Sequence, residues 1–215
     1  LLKVANGPVG KQIQDQILAD TGVYLLTFGG PSYRDFFNSK RPVNTIADMD
    51  GLKIRVPKNE VMLATFEAFG AEPVPLAWSE TPTALQTRTI DGGDNGTNVI
   101  QEMKFFEFAD HLTILDHFAG FVPLFASERF MGKLDDAQRA AVFEAALEAG
   151  VFHTQYKIDE TEKVRAWLEN EGGMTVTRPD RADFIAAAKT VQDEFTEKRG
   201  EAFGQILQQI RDAAE

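Results

Sequence analysis

The chain has 215 residues, 43% of them apolar and 10% aromatic, enough to bury a large core in one large domain or two small ones. Its 33 acidic and 22 basic residues give a net charge of −11 with no basic stripe, so nucleic acid and anionic membrane surfaces are poor partners. It contains no cysteine, which excludes disulfides, thiolate metal sites and cysteine nucleophiles. No run is long and apolar enough to cross a bilayer, and no basic segment followed by an apolar one opens the chain. The chain starts Leu1-Leu2-Lys3 without an initiator methionine, so an upstream segment is expected to have been removed or left out.

Val9, Ile13 and Ile17, spaced four apart, predict a helix that begins at Pro8 and closes with Gly22 at its C-terminal end. Val23–Phe28 then reads as a buried strand that Gly29-Gly30-Pro31 breaks. Helix followed by strand is the second half of a βαβ unit whose first half is absent. A polar, aromatic-spotted loop is expected from Ser32 to Arg41.

Gly51-Leu52-Lys53-Ile54-Arg55-Val56-Pro57 organises the rest. If Leu52, Ile54 and Val56 share one face of a strand, Lys53 and Arg55 project from the other. Arg55 is then either salt-bridged on a half-buried sheet or a rigidly aimed fork of donors suited to a carboxylate. Asn59 is a good N-cap for a helix ending at Gly70, and Glu72–Leu76 reads as a short strand. Trp78, core residue or ligand platform, precedes Ser79, which can cap a helix holding Pro82 in its first turn and Ala84 and Leu85 beyond. Ile90–Gly96 is turn-rich and backbone-permissive.

Thr97–Phe108 is expected to be helical in one or two pieces, and His111–Asp116 and Phe121–Ala126 to be two strands. From Asp135 to Glu171 an alanine-rich stretch with few breakers predicts a helix roughly 55 Å long, with a bend near Gly150. A strand over Met174–Thr177 and helices over Asp180–Arg199 and Glu201–Ala214 complete an alternation that argues for α/β lobes.

Catalytic chemistry is hard to assemble. There is no nucleophile elbow, zinc-protease helix or phosphate loop, and His111, His117 and His153 are scattered. An enzyme reading would need a general base such as Asp94 or Glu80. Asp91, Asn95, Gly96, Thr97 and Glu102 fall at five places of a calcium loop, but Gly93 and Val99 occupy two ligand places, so no metal is assigned. A calcium-dependent interaction module is a third reading.

Gly51-Leu-Lys-Ile-Arg-Val-Pro57, Ala64-Thr-Phe-Glu-Ala-Phe-Gly-Ala71, Pro75-Leu-Ala-Trp-Ser-Glu80, Ala84-Leu-Gln86, Asp91-Gly92 and Asn95 stand in an order that resembles the periplasmic solute-binding proteins of TRAP transporters, the DctP type. Asn38-Ser-Lys-Arg-Pro-Val43, Lys104-Phe-Phe-Glu107 and Gly173-Met-Thr-Val-Thr-Arg-Pro-Asp180 fit as well, so the likeness spans the chain. The resemblance implies a two-lobed α/β fold around a cleft, with a long helix bracing both lobes and the first lobe incomplete at the N-terminus. Residues 1–32 and 121–150 would be the remainder of that lobe, and 33–120 and 151–215 the second.

It further implies a periplasmic protein that captures a small organic acid and delivers it to TRAP membrane subunits, with no cofactor. A monomer is implied at full length, and association when the first lobe is incomplete. Arg55 resembles the arginine that pairs with the ligand carboxylate, Asn95 the amide that also contacts it, Arg41 a second, more variable basic contact, and Trp78 the aromatic wall. Pro82, Gly93-Asp94 and Gly29-Gly-Pro-Ser-Tyr33 depart from the family's pattern, so the resemblance does not choose among C4 diacids, keto acids, sugar acids and aromatic acids.

Overall fold

A computed structural model describes residues 2–214, with the side chains of all but Leu2, Lys3, Pro31 and Ala214. In chain order the elements are α1 (Leu2–Ala5), α2 (Pro8–Thr21), β1 (Val23–Asn38), β2 (Lys53–Val56), α3 (Glu60–Ala68), β3 (Glu72–Pro75), α4 (Thr81–Gln86) and β4 (Gly92–Gly96). There follow α5 (Thr97–Glu102), β5 (His111–Ser127), α6 (Glu128–Met131), α7 (Asp136–Asn170), β6 (Thr175–Thr177), α8 (Ala182–Arg199) and α9 (Glu201–Ala214). The fold class is α/β, with a six-stranded sheet in the order β3-β2-β4-β1-β5-β6. β2 runs parallel to β3 and β4, β5 parallel to β6, and β1 antiparallel to β4.

The chain separates into two compact units. One comprises the described parts of residues 1–32, 120–159 and 199–215, the other residues 33–119 and 160–198. The expected division assigned 151–215 wholly to the second unit. It is corrected at both ends: α7 changes unit within its length, and α9 belongs with the first unit because it packs on α1 and α2.

In the first unit, β1 does not stop at Gly29-Gly30 as expected. The glycines continue the strand because neighbouring elements lie too close for side chains, α7 at Gly29 and the Gly120 carbonyl of β5 at Gly30. A Cβ on Gly29 would stand 2.8 Å from Nδ1 of His153. Thr154 then ties the helix to the strand: its hydroxyl accepts from the Gly30 N–H at 3.2 Å and lies 2.7 Å from the Gly30 carbonyl oxygen. Just before these glycines on β1, Thr27 and Phe28 face another glycine of α7, since a Cβ at Gly150 would meet the Thr27 hydroxyl at 2.6 Å. The two strands expected between His111 and Ala126 are likewise one continuous element, β5.

In the second unit, alternate strand residues feed two cores. Phe36, Ile54 and Val56 pack with Phe66, Phe69 and Phe184, while Phe37 packs with Leu85, Ile100, Phe105, Val164 and Leu168. Asn59 caps α3 as expected, its Oδ1 accepting from the Met62 N–H at 3.1 Å. Ser79 does not cap α4. A 3₁₀ turn over Trp78–Glu80 leads directly into that helix, and the Glu80 carboxylate accepts from the Ala77 N–H at 2.9 Å.

The segment read as turn-rich, Ile90–Gly96, contains strand β4, and none of Gly92, Gly93 and Gly96 has a positive φ. Their glycines serve close approach instead. A Cβ on Gly92 would sit 1.9 Å from the Phe37 carbonyl oxygen, and one on Gly93 would sit 3.2 Å from the Phe37 ring. Low strand propensity concealed the element, and tertiary packing overrides it.

Candidate functional site

Arg55 lies on β2, one strand in from the sheet edge, opposite Val74 on β3 and Gly93 on β4. Residues opposed across a ladder share a face, so Arg55, Gly93 and Asn95 lie on the side that carries Phe37. The side chain is almost fully buried, at 5% exposure. Its Nε and Nη2 donate to the Leu76 carbonyl oxygen at 3.2 and 3.0 Å, and Nη1 has no acceptor among the described residues. Burial pushes its pKa below the ordinary arginine value, with Asp94 opposing that shift and Arg34 adding to it. The group stays charged at neutral pH, so a desolvated cation is held with donors to spare.

Trp78 lies beside it. The Arg55 guanidinium carbon is 5.4 Å from the indole centroid, and Phe105 packs edge-on against the same ring at 5.8 Å. The indole is nevertheless 40% exposed, so it is neither a core residue nor a free surface group. Its position follows from the 3₁₀ turn that Glu80 closes. Asn95 ends β4 half-buried; its Oδ1 accepts from its neighbour's Gly96 N–H at 2.9 Å, and its Nδ2 donor is uncommitted among the described residues.

A second arginine stands here that sequence reasoning passed over. Arg34 donates from Nε to Oδ2 of Asp94 at 2.5 Å, from Nη2 to the Asp94 carbonyl at 2.6 Å and from Nη1 to Oδ1 of Asn95 at 3.4 Å. His117 Nε2 lies 3.3 Å from the same Asp94 oxygen, with its ring among Phe66, Phe69 and Phe118. The signal was the aromatic-rich run Tyr33-Arg34-Asp35-Phe36-Phe37, which reads as a strand once Gly29-Gly30-Pro31 is not taken as its end.

Arg41 is not part of this group. It is exposed, and its guanidinium donates to the carbonyls of Asp48, at 2.9 Å, and Asp50, so it clamps the 3₁₀ turn at 46–49. Asp94 is unsuited to be a general base. Burial pushes its pKa up, but the hydrogen bonds from His117 and Arg34 outweigh that and hold the carboxyl below its ordinary range. Glu80 is spent on its own turn. The calcium-loop pattern forms no loop, because residues 92–96 are a strand and the Asp91 carboxylate accepts from the Lys53 N–H at 2.9 Å. On the Phe37 face the site holds Arg55, the open amide donor of Asn95 and the aromatic face of Trp78, while Arg34 and Asp94 pair on the opposite, Phe36 face and reach it through Asn95 Oδ1. That arrangement suits a small, partly apolar anion.

The model of bacterial extracellular solute-binding protein, family 7, matches residues 1–199. The 2,3-diketo-L-gulonate-binding periplasmic protein YiaO of Escherichia coli is 32% identical over 195 residues, 90% of this chain and 59% of its own length. The sialic acid-binding periplasmic protein SiaP of Vibrio cholerae is 35% identical over 76% of this chain and 50% of its own length. A TRAP periplasmic solute-binding protein from Roseobacter denitrificans, solved with bound L-galactonate, aligns with a TM-score of 0.75 at 34% identity, covering 87% of this chain and 62% of that one. The chain thus spans between half and two thirds of the length of these proteins.

Proposed function

Because the chain belongs to the bacterial extracellular solute-binding protein family 7, we propose that it is a ligand-capture protein and not an enzyme, acting in the periplasm to collect a sugar acid for the membrane subunits of a TRAP transporter. The observation that carries this reading is Arg55: buried, braced on the Leu76 carbonyl, and left with an unused Nη1 beside the exposed part of Trp78. A carboxylate that accepts from Arg55 and from Nδ2 of Asn95 gains charge-assisted bonds from a cation that the fold has already largely desolvated. Trp78 then covers the carbon body, and Arg34, bonded to Asn95 Oδ1, steadies that amide.

Sugar acids are favoured over other carboxylates because 2,3-diketo-L-gulonate, sialic acid and L-galactonate are the ligands named for the three relatives above. The departures at Gly93-Asp94 and Pro82 leave the particular sugar acid to experiment. The test is a thermal-shift panel of galactonate, glucuronate and sialic acid, each paired with its uncharged lactone or polyol. Stabilisation by an acid and not by its neutral partner is expected, since only the carboxylate engages Arg55. Equal stabilisation by both members of every pair would remove the arginine from the account, and chemical change of recovered ligand would restore the enzyme reading.

A further inference from the structure

Directly opposite Asn95 in the ladder, on β1, stands Asp35, a carboxylate with no exposed surface. Opposed residues of an antiparallel pair carry their side chains on one face with Cβ atoms about 5 Å apart. A negative charge is therefore built in beside the amide assigned to receive an anion. A lone buried carboxylate would take up a proton rather than stay charged.

This one is not alone. Arg165 of α7 donates from Nε to its Oδ2 and from Nη2 to its Oδ1, both at 2.9 Å, and the Thr97 hydroxyl donates to Oδ2. The same guanidinium reaches Oδ1 of Asp116 at 2.6 Å and Oε1 of Glu162 at 2.9 Å, and Arg181 lies 3.4 Å from the other Asp116 oxygen. The charged groups acting on Asp35 are thus Arg165 and Asp116, with Glu162 and Arg181 on the outer side of the cluster. Burial raises the Asp35 carboxyl above its ordinary value against the pull of Arg165 and Thr97, while Asp35 and Asp116 hold Arg165 more firmly charged than an ordinary arginine. Asp116 has φ +51, a left-handed backbone that a non-glycine residue rarely adopts, and both of its carboxylate oxygens are held by arginines.

We infer that Arg165 is a positioning residue for anion capture: paired with Asp35, it fixes the strand pair that presents Asn95 and offsets the Asp35 charge, which would oppose a ligand carboxylate on that face. The inference rests on the capture reading given above, and it makes the two partners act with opposite sign. Removing Arg165 leaves Asp35 uncompensated and repels the ligand, increasingly so as pH rises and Asp35 ionises. Removing the charge of Asp35 takes away the repulsion beside Asn95, while Arg165 stays held by Asp116 and Glu162.

Calorimetric titration with galactonate from about pH 5 to 9, on the wild type, Arg165→Met, Asp35→Asn, the double variant and Arg55→Ala, tests this. Arg165→Met is expected to weaken binding about tenfold at neutral pH and more at high pH, and Asp35→Asn to bind at least as tightly as the wild type. The double variant is expected to return to within about threefold of the wild type. A purely structural cluster predicts that both single variants weaken binding alike with no added pH slope, and that result overturns the inference. If Arg165→Met does not fold, Asp35→Asn decides alone, because weakened binding there is the wrong sign. Binding lost in Arg55→Ala but unchanged in Arg165→Met overturns only this inference. Absence of wild-type binding to galactonate, glucuronate and sialic acid alike, or binding unchanged in Arg55→Ala, overturns the capture reading and this one with it.

Discussion

Replacing Arg55 by alanine and by lysine separates the charge of the anchor from its geometry. In the free protein Arg55 contributes two donors to the Leu76 carbonyl and is otherwise a desolvated cation, so its removal both strands an acceptor and relieves a buried charge. The stranded acceptor costs about 1–3 kcal/mol and the relieved desolvation offsets much of it, so folding stability should change little. Binding has no such compensation, because the ligand carboxylate would enter a site whose main counter-charge is gone. Arg55→Ala is expected to weaken sugar-acid binding by about 2–5 kcal/mol. Lysine restores a charge but offers a point donor where a planar fork was braced on one side by a carbonyl, so Arg55→Lys should recover only part of the loss. Calorimetry gives the affinities and urea denaturation the stabilities. The reasoning fails if Arg55→Ala binds the acid as the wild type does, or if its affinity falls only in step with its stability.

Other expectations concern the frame of the site. Gly92→Ala should destabilise by about 3 kcal/mol in urea titration, because its Cβ would stand 1.9 Å from the Phe37 carbonyl oxygen; a cost below about 0.5 kcal/mol would show that β4 can move away from β1. Gly51→Ala, with φ +67 and open space around it, should cost only about 1 kcal/mol, a backbone penalty without a clash. Asp94 has a folded pKa below the ordinary carboxylate value, so its contribution to stability is present above about pH 4 and lost as pH falls through the depressed value. Asp94→Asn should therefore flatten the acid limb of a stability–pH curve, and an unchanged limb would mean that Arg34 and His117 do not stabilise the ionised form.

The helical part of this fold was legible because helices announce themselves locally. The spacing of Val9, Ile13 and Ile17, the Asn59 cap and the breaker-free run into Asn170 each carry their own signal, and α2, α3 and α7 lie where these put them. The strands were misjudged wherever glycine carried tertiary information. Gly29-Gly30 and Gly92-Gly93 look like interruptions in one dimension; in three they are the places where α7, β5 and β1 come too close for a side chain. The same misjudgement hid Arg34, since a residue placed in a loop is not given a face. Arg55 and Trp78 were found together because they lie on adjacent short elements whose direction the sequence does encode. Arg41 failed for the complementary reason: its alternative acceptors are backbone carbonyls of a nearby turn, and no side-chain pattern reports those.

The brace on Arg55 has a consequence for how such a site can change. Its acceptor is the Leu76 carbonyl, and the Leu76 N–H is itself bonded to the Val56 carbonyl at 3.1 Å, so the direction of the guanidinium is set by main chain at both ends. Its hydrogen-bonded acceptor survives exchange of the side chains around it, because that acceptor is a backbone carbonyl. On the capture reading, acid recognition is thereby uncoupled from the shape of the rest of the ligand: substitution at a position such as Trp78 is expected to change which carbon body fits while the anchor keeps its bearing.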